Sequence, residues 1–375
     1  MKKINYAAID LEEHYKEIIL NSSKINKDKI KEFLLDFEVS ESFEDLILLP
    51  IEKLICVKKI SSQDIKAKYK LSDKDLNEKL REIKTLFNYK DLQKSELSNF
   101  FMSNANSINL RSCYYCNIDF VNTIIDFKNE YFDKYDLINN VESPRELELI
   151  IDIGEKRAEE IFSYKGKIKD VDDYATLLKP GIRNILDDLF VNGIINLKKL
   201  KTHNHFTLDH LFPQNGFVHF SLSLFNLIPS CYSCNSKFKK DNEIYDSIND
   251  ILKISPSSNG FDEGFLKIDL NFNQGYKFDN CDKVENYKIK INSKYKNYVN
   301  LLKLQGRYNF HKNISFEMIE KRKKYSEKAI KDIAVIIGKD EISVKKDIFG
   351  AEVFEPKNAP FEKYKQDIAK QLGII

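Results

Sequence analysis

Two Cys-x-x-Cys pairs, "CYYC" at Cys113 and Cys116 and "CYSC" at Cys231 and Cys234, are the residues whose type and spacing point most directly to chemistry. Four thiolates on two knuckles complete a tetrahedral zinc site, which closes a loop and supplies folding free energy. Residues 117–230 separate the pairs, so the chain between them must leave and return. Upstream of the second pair, "FTLDHLFP" sets Asp209 beside His210 in an otherwise apolar run. An aspartate offers a hard anionic oxygen to a divalent cation, and an imidazole near neutrality suits general-base work. Adjacent strand residues point to opposite faces, so one can meet a metal while the other accepts a proton from water. Taken alone, the same two residues read rather as a satisfied structural pair.

The surrounding order narrows the choice. Asp209-His210 is followed by Asn226 in "SLFNLIPSC" and then by Asn235 directly after the second cysteine pair, with Lys237, Lys239 and Lys240 close behind. Over residues 203–240, with "CYYC" upstream, this resembles the HNH endonucleases of the ββα-metal, or His-Me finger, superfamily. The resemblance implies an HNH core stapled by a four-cysteine zinc site, with Mg²⁺ or Mn²⁺ held by Asp209 and Asn235. His210 would be the general base, and Asn226 would tie the hairpin loop and so orient it. Relatives often carry a lysine three positions after the last Asn, where this chain has Phe238, so Lys237 and Lys239 are the candidates for a phosphate contact. Standalone proteins with this type of site look like nuclease effectors of bacterial antiphage systems that work beside an ATPase. Double-stranded DNA is the preferred substrate, with RNA or tRNA as alternatives. The competing class is a non-catalytic, zinc-stapled nucleic-acid-binding protein in which the Asp-His pair is structural.

The remaining candidates are weaker. His203 and His205 lie upstream on what reads as the same strand and read as surface or supporting residues rather than phosphate contacts, and His219 falls in the hairpin loop, where a substrate contact is the lesser reading. His14, and His311 with Arg307, read as structural or surface residues, and the unpaired Cys56 and Cys281 as small core residues.

The elements that must position these residues read as an α+β protein, predominantly helical. Residues 1–105 carry amphipathic helical spacing, including "DKDLNEKLREIKTLF" after Ser72 as N-cap. They form a bundle, with a helix-turn-helix over residues 48–84, where three short helical patterns are joined by tight breaks, as the alternative. Residues 106–250 hold the nuclease core. Within it, about 136–190 resembles a tandem helix-hairpin-helix module, in which backbone amides at a helix N-terminus would meet a DNA phosphate. Gly154, Lys156 and Arg157 would form that clamp, although Asp152 stands where the family has its first glycine and Arg183 where the second hairpin usually has one. Residues 251–375 form a mixed region, with period-two strands in "GFLKIDLNFN" and "VENYKIKI" and then a Lys-rich helical pattern, "FEMIEKRKKYSEKAIKDIAVII".

Composition sets the outer bounds. The 375 residues carry 60 basic and 58 acidic side chains, so any affinity for polyanions must be local. No apolar run approaches the roughly 18 residues of a membrane span, which points to a cytoplasmic protein with no membrane partner. In a reducing compartment closely paired cysteines are metal ligands rather than disulfides.

Overall fold

The computed structural model describes residues 1–375 apart from 7–9, 128–130, 192–193, 197–198 and 202. It is mixed α+β, rich in helix, with small antiparallel sheets. The chain divides into two compact units, Met1–Asn122 with His205–Ile375, and Thr123–Asn204. Each has its own apolar core.

In the smaller unit, strand β1 (Thr123–Ile124), β2 (Phe190–Val191), β3 (Ile194–Ile195) and β4 (His203–Asn204) form two minimal ribbons, β1 with β4 and β2 with β3. The body is helical. Helix Pro144–Leu147 packs on Glu155–Phe162, and Val171–Leu177 on Pro180–Leu189, so two helical hairpins follow one another. Ile150, Ile153, Ala158, Ile161, Ile182, Leu186 and Leu189 fill the space they enclose. Asp152 sits at φ 67°, the left-handed region that favours glycine, so the first hairpin takes a glycine-like turn on a residue that adopts it less readily.

In the larger unit, polar side chains close the N-terminal helices, Ser72 among them as the spacing predicts. Ser42, Ser61 and Ser72 accept from the amides of Asp45, Asp64 and Asp75. The helix Asp73–Phe87 stops at Asn88, whose φ of 45° turns the chain and leads it into the short helix Tyr89–Leu92. Cys56, expected in the core, is exposed. The helix Ile51–Leu54 turns Ile51 and Leu54 inward, and Cys56 follows on the solvent side.

Strands β5 (Thr207–His210) and β6 (Leu227–Ser230) pair antiparallel, with Asp209 opposite Ile228 and His210 opposite Leu227. A π-helical segment, Ser233–Lys239, follows. In the C-terminal region β7 (Lys267–Phe272) pairs with β8 (Tyr287–Asn292), and Tyr287, Ile289 and Ile291 face the core while Lys288, Lys290 and Asn292 face out. Side chains satisfy both outer edges of this ribbon. Asp367 and Gln371 bind the backbone of β7, and Gln305 and Asn309 that of β8, which removes an open strand edge. The Lys-rich pattern is two helices, Asn313–Lys324 and Glu327–Ile337, because Ser326 caps a new start by accepting from Ala329. Among the described residues no helix is long and apolar enough to cross a membrane.

Candidate functional site

The four paired cysteines converge. Their Sγ atoms all lie within 4.8 Å of one another, and none of the four residues is more than 6% exposed. Tetrahedral zinc with Zn–S near 2.3 Å needs sulfurs about 3.8 Å apart, and Cys116 and Cys231 are at 3.9 Å. The backbone is already shaped for the job. Asn117 takes φ 52° just after the first pair, and the amides of Ile118 and Cys234 point at the sulfurs of Cys116 and Cys231, each at 3.4 Å. The cluster can therefore hold a structural zinc.

Each knuckle also carries a residue that reaches the Asp-His pair. From the first, the Tyr115 hydroxyl donates to Asp209 Oδ2 at 2.7 Å. From the π-helical segment entered through the second, the Lys239 ammonium lies 3.2 Å from Asp209 Oδ1 and 3.0 Å from Oδ2, and donates to the His210 carbonyl at 2.7 Å. Lys239 is 1% exposed and Asp209 3%. Burial pushes the Asp209 carboxyl up, against the pull of Lys239 and Tyr115.

Lys239, expected at a phosphate, is thus committed inward instead. The cause is local geometry: Lys240 N bonds to Asn235 O, five residues back, so the turn holds one residue more than an α-turn. That extra residue brings position 239, rather than 238, onto the face that meets β5. Lys237 remains exposed, with its ammonium 5.8 Å from the Phe238 ring.

The His210 ring is oriented from two sides. Its Nε2 lies 3.0 Å from the Ser221 carbonyl oxygen, which can only accept, so Nε2 carries the proton and Nδ1 keeps a lone pair. The Tyr89 ring meets the imidazole edge-on at 4.3 Å, and the Tyr89 hydroxyl is anchored on the Leu208 carbonyl at 2.8 Å. Burial lowers His210 to about 4; the Ser221 carbonyl opposes this, and the Lys239 and Lys84 charges add to it. Asn226, fully buried, accepts from Phe212 N at 2.7 Å and donates to the Phe220 carbonyl at 3.0 Å, which cross-links the chain between β5 and β6 on either side of Ser221.

Asn235 donates its amide to Thr207 Oγ1 at 3.0 Å, so the group it has to offer a cation is its carbonyl oxygen. Asp209, His210 and Asn235 line one open cleft of about 510 Å³, together with Thr207, Tyr89, Gln93, Ser236, Lys240 and Asp241. One further expectation about histidines changes: His203 belongs to β4 and His205 to the link before β5, so neither shares the strand of Asp209. His219 is 1% exposed among Phe217 and Phe220, removed from any substrate in solution.

In the smaller unit Gly154 precedes the helix Glu155–Phe162 as its N-cap, and Lys156 is exposed. Arg157 is turned back, donating to the Asp152 carbonyl at 2.7 Å. Tyr89, Tyr115 and Arg307, which approaches the cysteine sulfurs, carry no signal in the sequence that marks them as site residues. Their partners lie far along the chain, and tyrosines and arginines at ordinary helical or knuckle spacing give no sign of it. Comparisons with protein-family models, with curated proteins and with solved structures find no match for this chain.

Proposed function

We propose that the cleft is the active site of a metal-dependent HNH-type endonuclease that hydrolyses phosphodiesters, with double-stranded DNA as the preferred substrate. One observation carries the reading: Asp209, His210 and Asn235 face a common cleft, and His210 is hydrogen-bonded so that its unprotonated nitrogen is Nδ1. Asp209 and the Asn235 carbonyl would hold Mg²⁺ or Mn²⁺, which when bound would supply charge stabilisation for the phosphorane and the departing 3′ oxygen. His210 Nδ1 takes the proton of the attacking water, and burial keeps the imidazole neutral for that task at cellular pH. Ser221 and Tyr89 fix the ring, and Asn226 fixes the loop that carries Ser221. Lys240, which lines the cleft, and the exposed Lys237 would contact phosphates, and the products carry 5′ phosphate and 3′ hydroxyl. A role as an antiphage effector beside an ATPase belongs to the same proposal and rests on the motif's resemblance.

A second reading is favoured by a specific contact. Both carboxylate oxygens of Asp209 are already engaged by Lys239 and Tyr115, the state expected of a non-catalytic, zinc-stapled binding protein. Incubating supercoiled plasmid and RNA with the purified chain and Mg²⁺ or Mn²⁺ separates the two. Cleavage by wild type that drops by about 10²–10⁴-fold in His210→Ala is expected of a general base. Equal cleavage by both proteins, or none by wild type on any substrate, would sink the catalytic reading.

A further inference from the structure

The guanidinium of Arg307, on the helix Leu304–Phe310, faces three of the four cysteines. Its Nη1 is 3.1 Å from Cys234 Sγ, and its Nη2 is 3.4 Å from Cys116 Sγ and 4.0 Å from Cys231 Sγ. Nη2 also donates to Asp119 Oδ2 at 2.8 Å, and the guanidinium carbon lies 5.4 Å from the centre of the Phe238 ring. The side chain is 15% exposed. Both knuckles are therefore touched by one cation.

Charge explains why a cation belongs there. Four thiolates around one Zn²⁺ leave a double negative charge, here among residues no more than 6% exposed, and buried charge is costly unless compensated. A guanidinium presents several donors in a fixed planar fork, so it can serve more than one sulfur at once without competing for the metal. Asp119, from the loop after the first knuckle, holds one limb of the fork in place.

The same helix is bound to the knuckle and to the C-terminal ribbon. Tyr308 donates its hydroxyl to the Cys116 carbonyl, while Gln305 and Asn309 bind the backbone of β8. We propose that Arg307 is a positioning residue of the zinc centre, one that stabilises the tetrathiolate form and makes the packing of the C-terminal ribbon depend on zinc. The inference rests on the zinc reading of the four cysteines and is independent of whether the cleft cleaves nucleic acid.

The test uses the full chain with Zn²⁺. Zinc content is measured first, and then the chelator concentration that strips half of it from wild type, Arg307→Met and Arg307→Lys. Loss of an outer partner of a metal ligand typically costs about 10–100-fold in affinity, so Arg307→Met is expected to release zinc at correspondingly lower chelator. Arg307→Lys, which keeps the charge and loses the fork, should fall between. Stripping wild type should speed amide exchange in Tyr287–Asn292 more than in the helix Asp73–Phe87. Arg307→Met retaining zinc as tightly as wild type overturns the proposal. If Arg307→Met does not fold, Arg307→Lys decides alone, since retention equal to wild type overturns it equally. A folded wild-type chain without zinc overturns the zinc centre and this inference together, and leaves the cleavage assay to be judged on its own result.

Discussion

The two parts of the chain that suggest chemistry hold their residues in different ways. Around the cleft, each candidate is fixed by groups from other elements: Asp209 by Tyr115 and Lys239, His210 by the Tyr89 ring and the Ser221 backbone carbonyl, Asn235 by Thr207. In Thr123–Asn204, the loop of the candidate phosphate clamp is tied to distant chain, with Ile151 N on the Lys199 carbonyl and Lys201 Nζ on the Ile153 carbonyl, but its own basic side chains stay local or exposed. Arg157 closes on Asp152 five residues away, and Lys156 stands exposed. Catalytic geometry needs orientation within fractions of an ångström, and cross-bracing supplies it. A backbone clamp for a polyanion needs only charge and free amides, so it tolerates loose side chains.

That contrast can be broken most severely at the knuckles. Cys231→Ser is expected to lose the bound zinc, about one per chain, and with it the register of Tyr115 and Lys239 on Asp209. Metal analysis and thermal unfolding measure the two losses together, and full zinc with an unchanged melting temperature would dissolve the cross-bracing argument. Next in size is Lys239→Met, which leaves the Asp209 carboxylate buried without its cation. Such a break costs about 3–5 kcal/mol by urea unfolding, and the double variant Asp209→Leu/Lys239→Met should recover most of it. A neutral single variant would show that Asp209 is not ionised there.

A smaller effect follows from two imidazoles, His219 buried and His210 half-buried. Burial lowers His210 and His219 to about 4, below the ordinary value near 6.5. Between those values the unfolded chain binds the extra protons, so stability is full above pH about 6.5 and declines as pH falls toward 4. His219→Phe should reduce the slope of stability against pH in that window by about one proton, and an unchanged slope would mean that His219 is protonated in the fold. The smallest change concerns the other unit. Lys156→Ala with Arg157→Ala should lower the salt dependence of DNA binding by about one phosphate contact, since Arg157 is already engaged; identical slopes would assign the helical hairpins to packing alone.

Much of this was legible from local pattern. Ser72 as a cap, the alternation in "YKIKIN" and the paired cysteines each follow from a short-range rule, and the structure contains the corresponding helix, strand and cluster. Two of the exceptions depend on tertiary packing. Lys239 turns inward because a π-turn adds a residue to the helical register, and His219 is buried because the aromatic loop folds over it. Neither event has a periodic signature, since each depends on what the segment packs against.

From the sequence alone came the ligand set of a zinc centre and the pairing of a carboxylate with an imidazole, because donor type and spacing are properties of neighbouring residues. The partners of those groups came only from tertiary structure. Tyr89, Tyr115, Lys239 and Arg307 reach them across 30 to 191 residues of chain. Low-dielectric burial then sets whether a group such as Asp209 stands as a bare ligand or as half of an ion pair, and burial exists only once the chain has closed around it.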